Sequence, residues 1–362
     1  MSEREGSLRD RQARSAGGAA GGSAGLAEER VSGEREGSGS DPGVRSAGGA
    51  ARLAEERVSG EREGSGPDPG VRSAGGSAGL AEERASGERD GSPPERGTSR
   101  LAEAFAAARA EQRAALVGYL PAGFPSVPGA VAALTAMVEA GVDVVEVGLP
   151  YSDPLMDGPT IQLAVDRALA RGTSTDDVLR TVAAVARTGV PTVVMTYWNP
   201  VEQYGVQRFA TDLAAAGGAG AITPDLTPEE AAPWLAAAGS AGLDPVFLVA
   251  PSSTDQRLAR IAALCRGFVY AASTMGVTGT RDQVSDRAPG LVARVRAVTA
   301  TPVAVGLGVS GGDQAAQVAA YADGVIVGSA FVRRLLDAPD EPAGVAAVRA
   351  LAADLAAGVR RR

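Results

Sequence analysis

From residue 99 onward, short apolar segments alternate with longer segments that have helical periodicity. The short segments are rich in β-branched residues and apolar at successive positions, which is typical of strands that are buried on both faces of a sheet. Eight strands are predicted in this way, at 116–120, 143–147, 192–196, 218–223, 245–249, 267–271, 302–305 and 324–327. Because segments long enough for helices separate them, the strands are expected to run parallel.

The intervening segments place apolar residues three or four positions apart, as amphipathic helices do. Ser174, Thr227 and Thr254 precede such segments with acidic residues close behind, as N-caps and first helical turns do. Eight strand–helix units in residues 99–362 predict a (β/α)8 TIM barrel with an extra N-terminal helix. A doubly wound open sheet is the alternative, although it usually has fewer strands. Helices are predicted at 127–140, 206–216, 228–238, 254–265 and 312–321, and the extra helix at 99–113.

Residues 1–98 differ in composition from the rest of the chain. They contain no aromatic residue, and the segment LAEER recurs at Leu26, Leu53 and Leu80, a constant step of 27 residues. Each repeat has too few apolar residues to bury a face, so a disordered low-complexity extension is expected. Residues 1–100 contain 15 Arg against 18 Asp and Glu, a net charge of −3, which does not favour nucleic acid or anionic lipid. The predicted division is therefore 1–98 for the extension and 99–362 for the barrel.

The composition excludes several kinds of chemistry. The chain has no His, and every basic residue is Arg, so it offers no imidazole base, no lysine Schiff base and no His-ligated zinc. The one cysteine, Cys265, has no partner for an intramolecular disulfide and is expected to be a core thiol. No signal-peptide core and no apolar run of membrane-spanning length is recognised, which favours a cytoplasmic location without membrane contact.

The segment VVEVG at 144–148 carries a carboxylate in the middle of a predicted buried strand. Since side chains alternate along a strand, Val145 and Val147 are expected to face the helices, and Glu146 the barrel interior near its carboxyl end. Burial disfavours the charged form, so the pKa of Glu146 is expected to rise toward a range useful for acid–base catalysis. An ion pair with Arg is the structural alternative, but no Arg lies in the neighbouring strand-like sequence.

The loops after several strands contain further candidate groups. PYSDPLMDGP, after the second strand, contains Asp153 and Asp157, which could act with Glu146 or serve as turn residues. Glycine-rich segments at 306–312 and 327–330 follow strands seven and eight and lead into helices, where barrels commonly bind phosphate through backbone amides. GVTG, after strand six, adds a third glycine cluster within a loop long enough to act as a lid.

The motifs VEVGLPYSDPLMDGPTIQ, GYLPAGFPS, MTYWNPVEQYGVQRF, FVYAASTMGVTG and DGVIVGSA resemble signatures of the tryptophan synthase alpha chain family, from about residue 99 to the C-terminus. The resemblance implies a lyase of tryptophan biosynthesis that cleaves indole-3-glycerol phosphate to indole and glyceraldehyde 3-phosphate by a retro-aldol reaction. It also implies a partner, the tryptophan synthase beta subunit, in an α2β2 heterotetramer. In that family the beta subunit holds pyridoxal phosphate and receives the indole, and no cofactor or metal is expected in the alpha chain.

The resemblance further implies roles for individual residues. Glu146 matches the general acid/base, Asp157 the acceptor of the indole N–H, and Tyr270 the tyrosine beside the glutamate. The remaining positions match walls of the indole pocket, phosphate-binding positions, a lid threonine and the beta-subunit interface. They are Tyr119 and Leu307 for the walls, Gly279, Gly308, Gly328 and Ser329 for the phosphate, Thr278 for the lid, and Asp153 and Asn199 for the interface. Core packing is the alternative for Tyr119, Leu307 and Tyr270.

Two other functions remain open from the sequence. Another phosphate-binding barrel enzyme is one, although indole-3-glycerol phosphate synthase relies on catalytic lysines that this chain lacks. A scaffolding partner that has kept the barrel and lost turnover is the other, and the intact Glu146, Asp157 and Tyr270 argue against it. The sequence also departs from the family pattern in its first 98 residues and at Thr274 and Met275, where many members have Arg before a small residue.

Overall fold

The computed structural model describes residues 99–272, 287–306 and 308–361. The predicted extension at 1–98 and the lid motif GVTG lie outside the described residues. Eight parallel strands close into a barrel and follow one another around it in chain order. This arrangement confirms the (β/α)8 barrel and excludes the open doubly wound sheet.

The eight predicted strands are all confirmed, and their ends move by at most two residues. They are β1 (Ala115–Pro121), β2 (Val144–Gly148), β3 (Thr192–Met195), β4 (Gly220–Thr223), β5 (Asp244–Val249), β6 (Val269–Ala272), β7 (Val303–Gly306) and β8 (Gly324–Val327). The closed sheet has no free edge strand, since β8 pairs with β1. The carboxyl ends of the strands therefore meet at one mouth.

The described helices surround this barrel, apart from the first. They are α1 (Arg100–Ala110), α2 (Val127–Glu139), α3 (Pro159–Ala170), α4 (Thr175–Ala186), α5 (Trp198–Tyr204), α6 (Val206–Ala215), α7 (Ala232–Ala241), α8 (Asp255–Leu264), α9 (Arg287–Arg296), α10 (Gly312–Ala319), α11 (Ser329–Leu336) and α12 (Glu341–Val359). The predicted caps of two of them are confirmed. Ser174 and Asp177 form a capping box at α4, and Thr254 accepts a hydrogen bond from the Arg257 amide at α8.

One predicted helix start is wrong. The segment Thr227-Pro228-Glu229-Glu230 reads as a cap with a proline in the first turn, but it forms a turn, and α7 begins at Ala232. The Thr227 hydroxyl donates to the Glu230 carboxylate at 2.8 Å, and the Glu230 amide donates to the Thr227 carbonyl. The same residue types stabilise an isolated turn and a helix start, so local sequence does not separate the two.

The extra helix α1 closes the amino end of the barrel. Leu101, Phe105 and Ala108 are buried and pack with the inward side chains of the strands. Phe105 stacks on Phe268, just before β6, with ring centroids 5.2 Å apart. Because this end is filled with apolar side chains, water and ligands reach the interior from the carboxyl end.

The long C-terminal helix α12 corrects one expectation. By length and composition it is apolar enough to cross a membrane, with a mean hydropathy of 1.3 over its best window. Part of its surface is buried, and it packs against α2, α10 and α11. Buried helices of a large domain have the same composition as membrane spans, so α12 is explained as a layer of the barrel.

Candidate active site

Glu146 lies inside the barrel, as the alternation along β2 predicts. Its cross-strand neighbours are Tyr119 on β1 and Val193 on β3, whereas Val145 and Val147 pack against the helices. The Glu146 side chain is 2% exposed, and its Oε2 atom has no hydrogen-bond partner among the described residues. Burial, together with the charge of Asp157, raises the pKa of Glu146 to about 8. The carboxyl group is therefore mostly protonated at neutral pH, and no described residue forms an ion pair with it.

Asp157 lies at the mouth, in the loop between β2 and α3. Burial raises the pKa of Asp157 to about 6, and a hydrogen bond from Tyr197 opposes that rise. The Gln162 side-chain amide donates to the Asp157 carbonyl at 2.7 Å and fixes the backbone of this residue. At neutral pH Asp157 is thus mainly a carboxylate beside a protonated Glu146. Two carboxyl groups with separated pKa values suit an acid and an acceptor in one reaction.

Tyr197 belongs to this cluster, and the sequence analysis did not single it out. Its hydroxyl accepts a hydrogen bond from the Met156 amide at 3.0 Å and also contacts the Asp157 carboxyl. Burial and the Asp157 charge raise the pKa of Tyr197 to about 12, so the phenol keeps its proton. The sequence did contain one indication that Tyr197 belongs to the site. This residue lies two positions after β3, within the segment MTYWNP, where a side chain reaches the mouth of the barrel.

Tyr119 and Tyr270 face the two carboxyl groups from β1 and β6. Burial, with the charges of Glu146 and Asp157, raises the pKa of both phenols. A Cβ atom on Gly148 would lie 2.5 Å from the Tyr119 hydroxyl, and one on Gly306 would lie 2.3 Å from the Tyr270 hydroxyl. Both phenols thus occupy space that only glycine leaves free on the neighbouring strand. The two rings line the site around Glu146.

The segments predicted to bind phosphate differ in the structure. The amino end of α10 is occupied, because the Gly312 amide donates to the Asp354 carboxylate at 2.7 Å. At α11 the amides of Phe331 and Val332 donate to the Gly328 carbonyl. The amides of Ser329 and Ala330 precede these, and the first amides of a helix have no intrahelical acceptor. Of the two helix ends, α11 is therefore the one open to an anion.

The open end of α11 is close to the tyrosines. A Cβ atom on Gly328 would lie 3.0 Å from Cδ1 of Tyr119, so this glycine packs against the ring. Ser329 is 5% exposed at the first position of the helix. Gly308 follows β7 with a φ of 68°, a left-handed conformation that favours glycine. The predicted contributions of Thr278, Gly279 and Leu307 lie outside the described residues.

Asp153 and Asn199 lie on the outer rim of the mouth, and both are exposed. Asp153 accepts a hydrogen bond from the Ser152 hydroxyl at 2.6 Å, and the Asn199 amide donates to the Tyr151 hydroxyl at 3.2 Å. Leu155, in the same loop as Asp153, is 71% exposed. The two acids of the loop after β2 thus have different surroundings: Asp157 is drawn inward and Asp153 faces solvent.

The chain matches one family of known proteins over most of the barrel. Residues 105–360 match the family model described as tryptophan synthase alpha chain. The tryptophan synthase alpha chain of Salinispora tropica is 66% identical over 262 residues, which cover 72% of this chain and 98% of that protein. The corresponding chain of Thermobifida fusca is 63% identical over 258 residues, which cover 70% of this chain and 96% of that protein.

Solved structures give the same result for the fold. A structure of Mycobacterium tuberculosis tryptophan synthase has 59% sequence identity and a TM-score of 0.69, covering 73% of this chain and 99% of that one. A tryptophan synthase subunit alpha from Legionella pneumophila has 32% identity and a TM-score of 0.65, covering 72% of this chain and 98% of that one. Since the family model spans residues 105–360 and relatives that are 66% and 63% identical are matched over almost their whole length, the chain belongs to the tryptophan synthase alpha chain family.

Proposed function

We propose that Glu146 and Asp157 catalyse the reaction of this family in this chain, the retro-aldol cleavage of indole-3-glycerol phosphate to indole and glyceraldehyde 3-phosphate. The observation that carries the proposal is the difference in protonation between the two carboxyl groups. Glu146 is buried with a pKa of about 8, and Asp157, with a pKa of about 6, faces the same space. A proton donor and an anionic acceptor are then present together at neutral pH.

In the proposed reaction, protonated Glu146 delivers a proton to the indole ring carbon that bears the glycerol side chain. The ring nitrogen becomes positive, and its N–H donates to the Asp157 carboxylate, which stabilises that charge. The Glu146 carboxylate then takes the proton of the neighbouring glycerol hydroxyl. The carbon–carbon bond breaks, its electron pair returns to the ring to give indole, and the hydroxyl carbon becomes the aldehyde. The protonated ring is the electron sink, so this chemistry needs no lysine, in keeping with a chain that has none.

The other site residues would bind and orient the substrate. We assign the phosphate to the open amides at the start of α11, at Gly328 and Ser329, with Gly308 nearby and Gly279 in the lid. Tyr119 and Tyr270 would form walls of the indole pocket together with Leu307, and Thr278 would meet the Asp157 loop when the lid closes. The packing of Gly328 against Tyr119 supports a substrate that spans the phosphate end and the ring pocket.

The chain's partner is a tryptophan synthase beta subunit. We propose an α2β2 heterotetramer in the cytoplasm, in which the beta subunit binds pyridoxal phosphate and receives the indole. The rim that carries Asp153 and Asn199 is the proposed contact, and the exposed Leu155 in the same loop supports it. A partner that docks there would press on the loop that holds Asp157, and activation by the beta subunit would follow.

Indole release tests this function directly. The purified chain is expected to release indole from indole-3-glycerol phosphate slowly when alone, and at least about tenfold faster with a beta subunit, because closure of the mouth completes the site. Release is measured by the absorbance or fluorescence of free indole. A folded chain that released no indole under either condition would contradict the proposal and favour the scaffolding role.

We also propose that residues 1–98 form a separate segment with no part in catalysis. Every candidate catalytic group lies beyond residue 99, and the family match begins at residue 105. A chain shortened to residues 97–362 is therefore expected to release indole within about twofold of the full-length rate. The same assay checks this, and a tenfold loss in the shortened chain would contradict the division.

A further inference from the structure

One side-chain hydrogen bond joins two helices at the mouth of the barrel. Arg333 Nη2 donates to Thr160 Oγ1 at 2.9 Å. Thr160 is 7% exposed and lies in the first turn of α3, three residues after Asp157. Arg333 lies in the last turn of α11, about one turn after Ser329. The bond connects the helix that follows the acceptor carboxylate to the helix whose start is open to an anion.

Tyr197 holds the loop before α3, whereas Arg333 contacts the first turn of the helix itself. The N-cap residue of α3 is Gly158, which has no side chain to accept a hydrogen bond from the first turn. Gln162 holds the Asp157 carbonyl from within the same helix, so it moves with that helix. Arg333 approaches from outside and is separated from Thr160 by 173 residues of chain. It therefore fixes the first turn of α3 relative to another element of the barrel.

Arg333 suits this task chemically. The guanidinium group is planar and permanently charged, and it presents donors in fixed directions, so its hydrogen bond sets a direction as well as a distance. Thr160 is 7% exposed although Arg333 is exposed, so the guanidinium group covers the Thr160 hydroxyl from the solvent side. The helix–helix contact between α3 and α11 accompanies the bond.

We infer that Arg333 and Thr160 are positioning residues that link the phosphate-binding end of α11 to the placement of Asp157. The inference rests on the proposed function. Neither side chain is assigned a contact with the substrate. A phosphate bound at the start of α11 fixes that helix, the Arg333–Thr160 bond fixes the first turn of α3, and the Asp157 carboxylate is held where the indole N–H arrives. Small displacements of a reacting group reduce rates strongly, so loss of the Arg333–Thr160 bond is expected to lower kcat.

The test uses the full-length chain with a beta subunit and three variants: Arg333→Met, Thr160→Val and the double variant. Each single variant is expected to lower kcat for indole release about tenfold and to change KM less than twofold. The double variant is expected to match the single variants, because both substitutions remove the same bond. Arg334→Met is the matched control, since Arg334 is the exposed neighbour with no side-chain hydrogen bond or ion pair among the described residues.

Three further readouts separate positioning from loss of structure. Inorganic phosphate, used as a competitive inhibitor, is expected to keep its inhibition constant within twofold, because the start of α11 is unchanged. The acidic limb of kcat/KM is expected to move to lower pH, because a displaced Asp157 gains solvent. Arg333→Lys, which keeps a donor on a long stem, is expected to recover part of kcat.

The possible failures are distinguishable. If the wild-type chain with a beta subunit releases no indole, the proposed function is overturned and this inference falls with it. If the wild-type chain is active and the variants keep its kcat, the positioning role alone is overturned. The positioning role is also overturned if the fold loss of kcat in the double variant equals the product of the two single-variant losses. It is overturned as well if the variants lower the melting temperature and leave kcat unchanged.

Discussion

Replacement of Glu146 by Gln is expected to lower the rate of indole release by a factor of about 10³, because the variant has neither a proton to deliver nor a carboxylate to take one. The substitution keeps the size of the side chain, so KM is expected to change by less than about threefold. Single-turnover and steady-state indole release, both with a beta subunit, measure the two parameters. The interior position on β2 predicts that the barrel folds normally.

Glu103→Gln is the matched control for this variant. Glu103 lies on α1 at the opposite end of the barrel and is exposed. It is expected to keep the wild-type rate. If Glu146→Gln retained more than a tenth of the activity, the role assigned to Glu146 would be wrong, and another group would have to supply the proton.

The same variant has a consequence for stability. The pKa of Glu146 rises from 4.5 to about 8 on folding, so the protonated form favours the folded state. The contribution is present in full below pH 4.5 and is lost as the pH rises to about 8, a change of about 5 kcal/mol at 1.36 kcal/mol per unit of pKa. Urea unfolding is therefore expected to show that Glu146→Gln gains stability relative to the wild type between pH 5 and pH 9, because only the wild type must keep an ionised group buried at pH 9.

Replacement of Asp157 by Asn is expected to lower kcat by a factor of about 10² to 10³, because a neutral amide no longer offsets the positive charge on the protonated indole ring. The pH profile is expected to change as well. In the wild type, kcat/KM rises as Asp157 ionises near pH 6 and falls as Glu146 loses its proton near pH 8. In the variant the acidic limb disappears, and the basic limb moves to lower pH because the Asp157 charge no longer raises the pKa of Glu146.

Tyr197→Phe provides the graded comparison for Asp157→Asn. It keeps the carboxylate and removes the hydroxyl that contacts Asp157 and accepts from the Met156 amide. Since that contact lowers the pKa of Asp157, the acidic limb is expected to move to higher pH, with a loss in kcat of about three- to tenfold. Unaltered limbs in both variants would exclude Asp157 from the titrations that control the reaction.

Much of the barrel followed from local patterns. The strands are short, apolar on both faces and separated by helices, and only a few closed or doubly wound arrangements satisfy that pattern. The inward direction of Glu146 followed from its place between Val145 and Val147, since alternation along a strand is a property of the backbone. The resemblance added the reaction and the individual site residues, and its motifs matched the family found by comparison.

Features that depend on contacts between distant segments could not be predicted from local sequence patterns. Tyr197 reaches Asp157 because β3 lies beside β2 in the closed barrel, and nothing in the residues around Tyr197 specifies that neighbour. From the sequence, the glycine-rich segments after β7 and β8 are equally good candidates for binding phosphate. In the structure, Asp354 on α12 accepts a hydrogen bond from the Gly312 amide at the start of α10. Periodic patterns describe neighbouring positions, so they do not show which residues meet when they lie far apart along the chain.

Periodicity and composition along neighbouring positions were enough to predict the barrel and a carboxylate that faces inward, and they also predict a division at residue 99. The tertiary structure decided which helix end is open to an anion, which tyrosine holds Asp157, and that Arg333 meets Thr160. It also gave the size of the change at Glu146, since the pKa of a carboxyl group depends on how completely water is excluded from it and on which charges lie nearby. Closure of the barrel creates these surroundings by bringing the ends of all eight strands to one mouth.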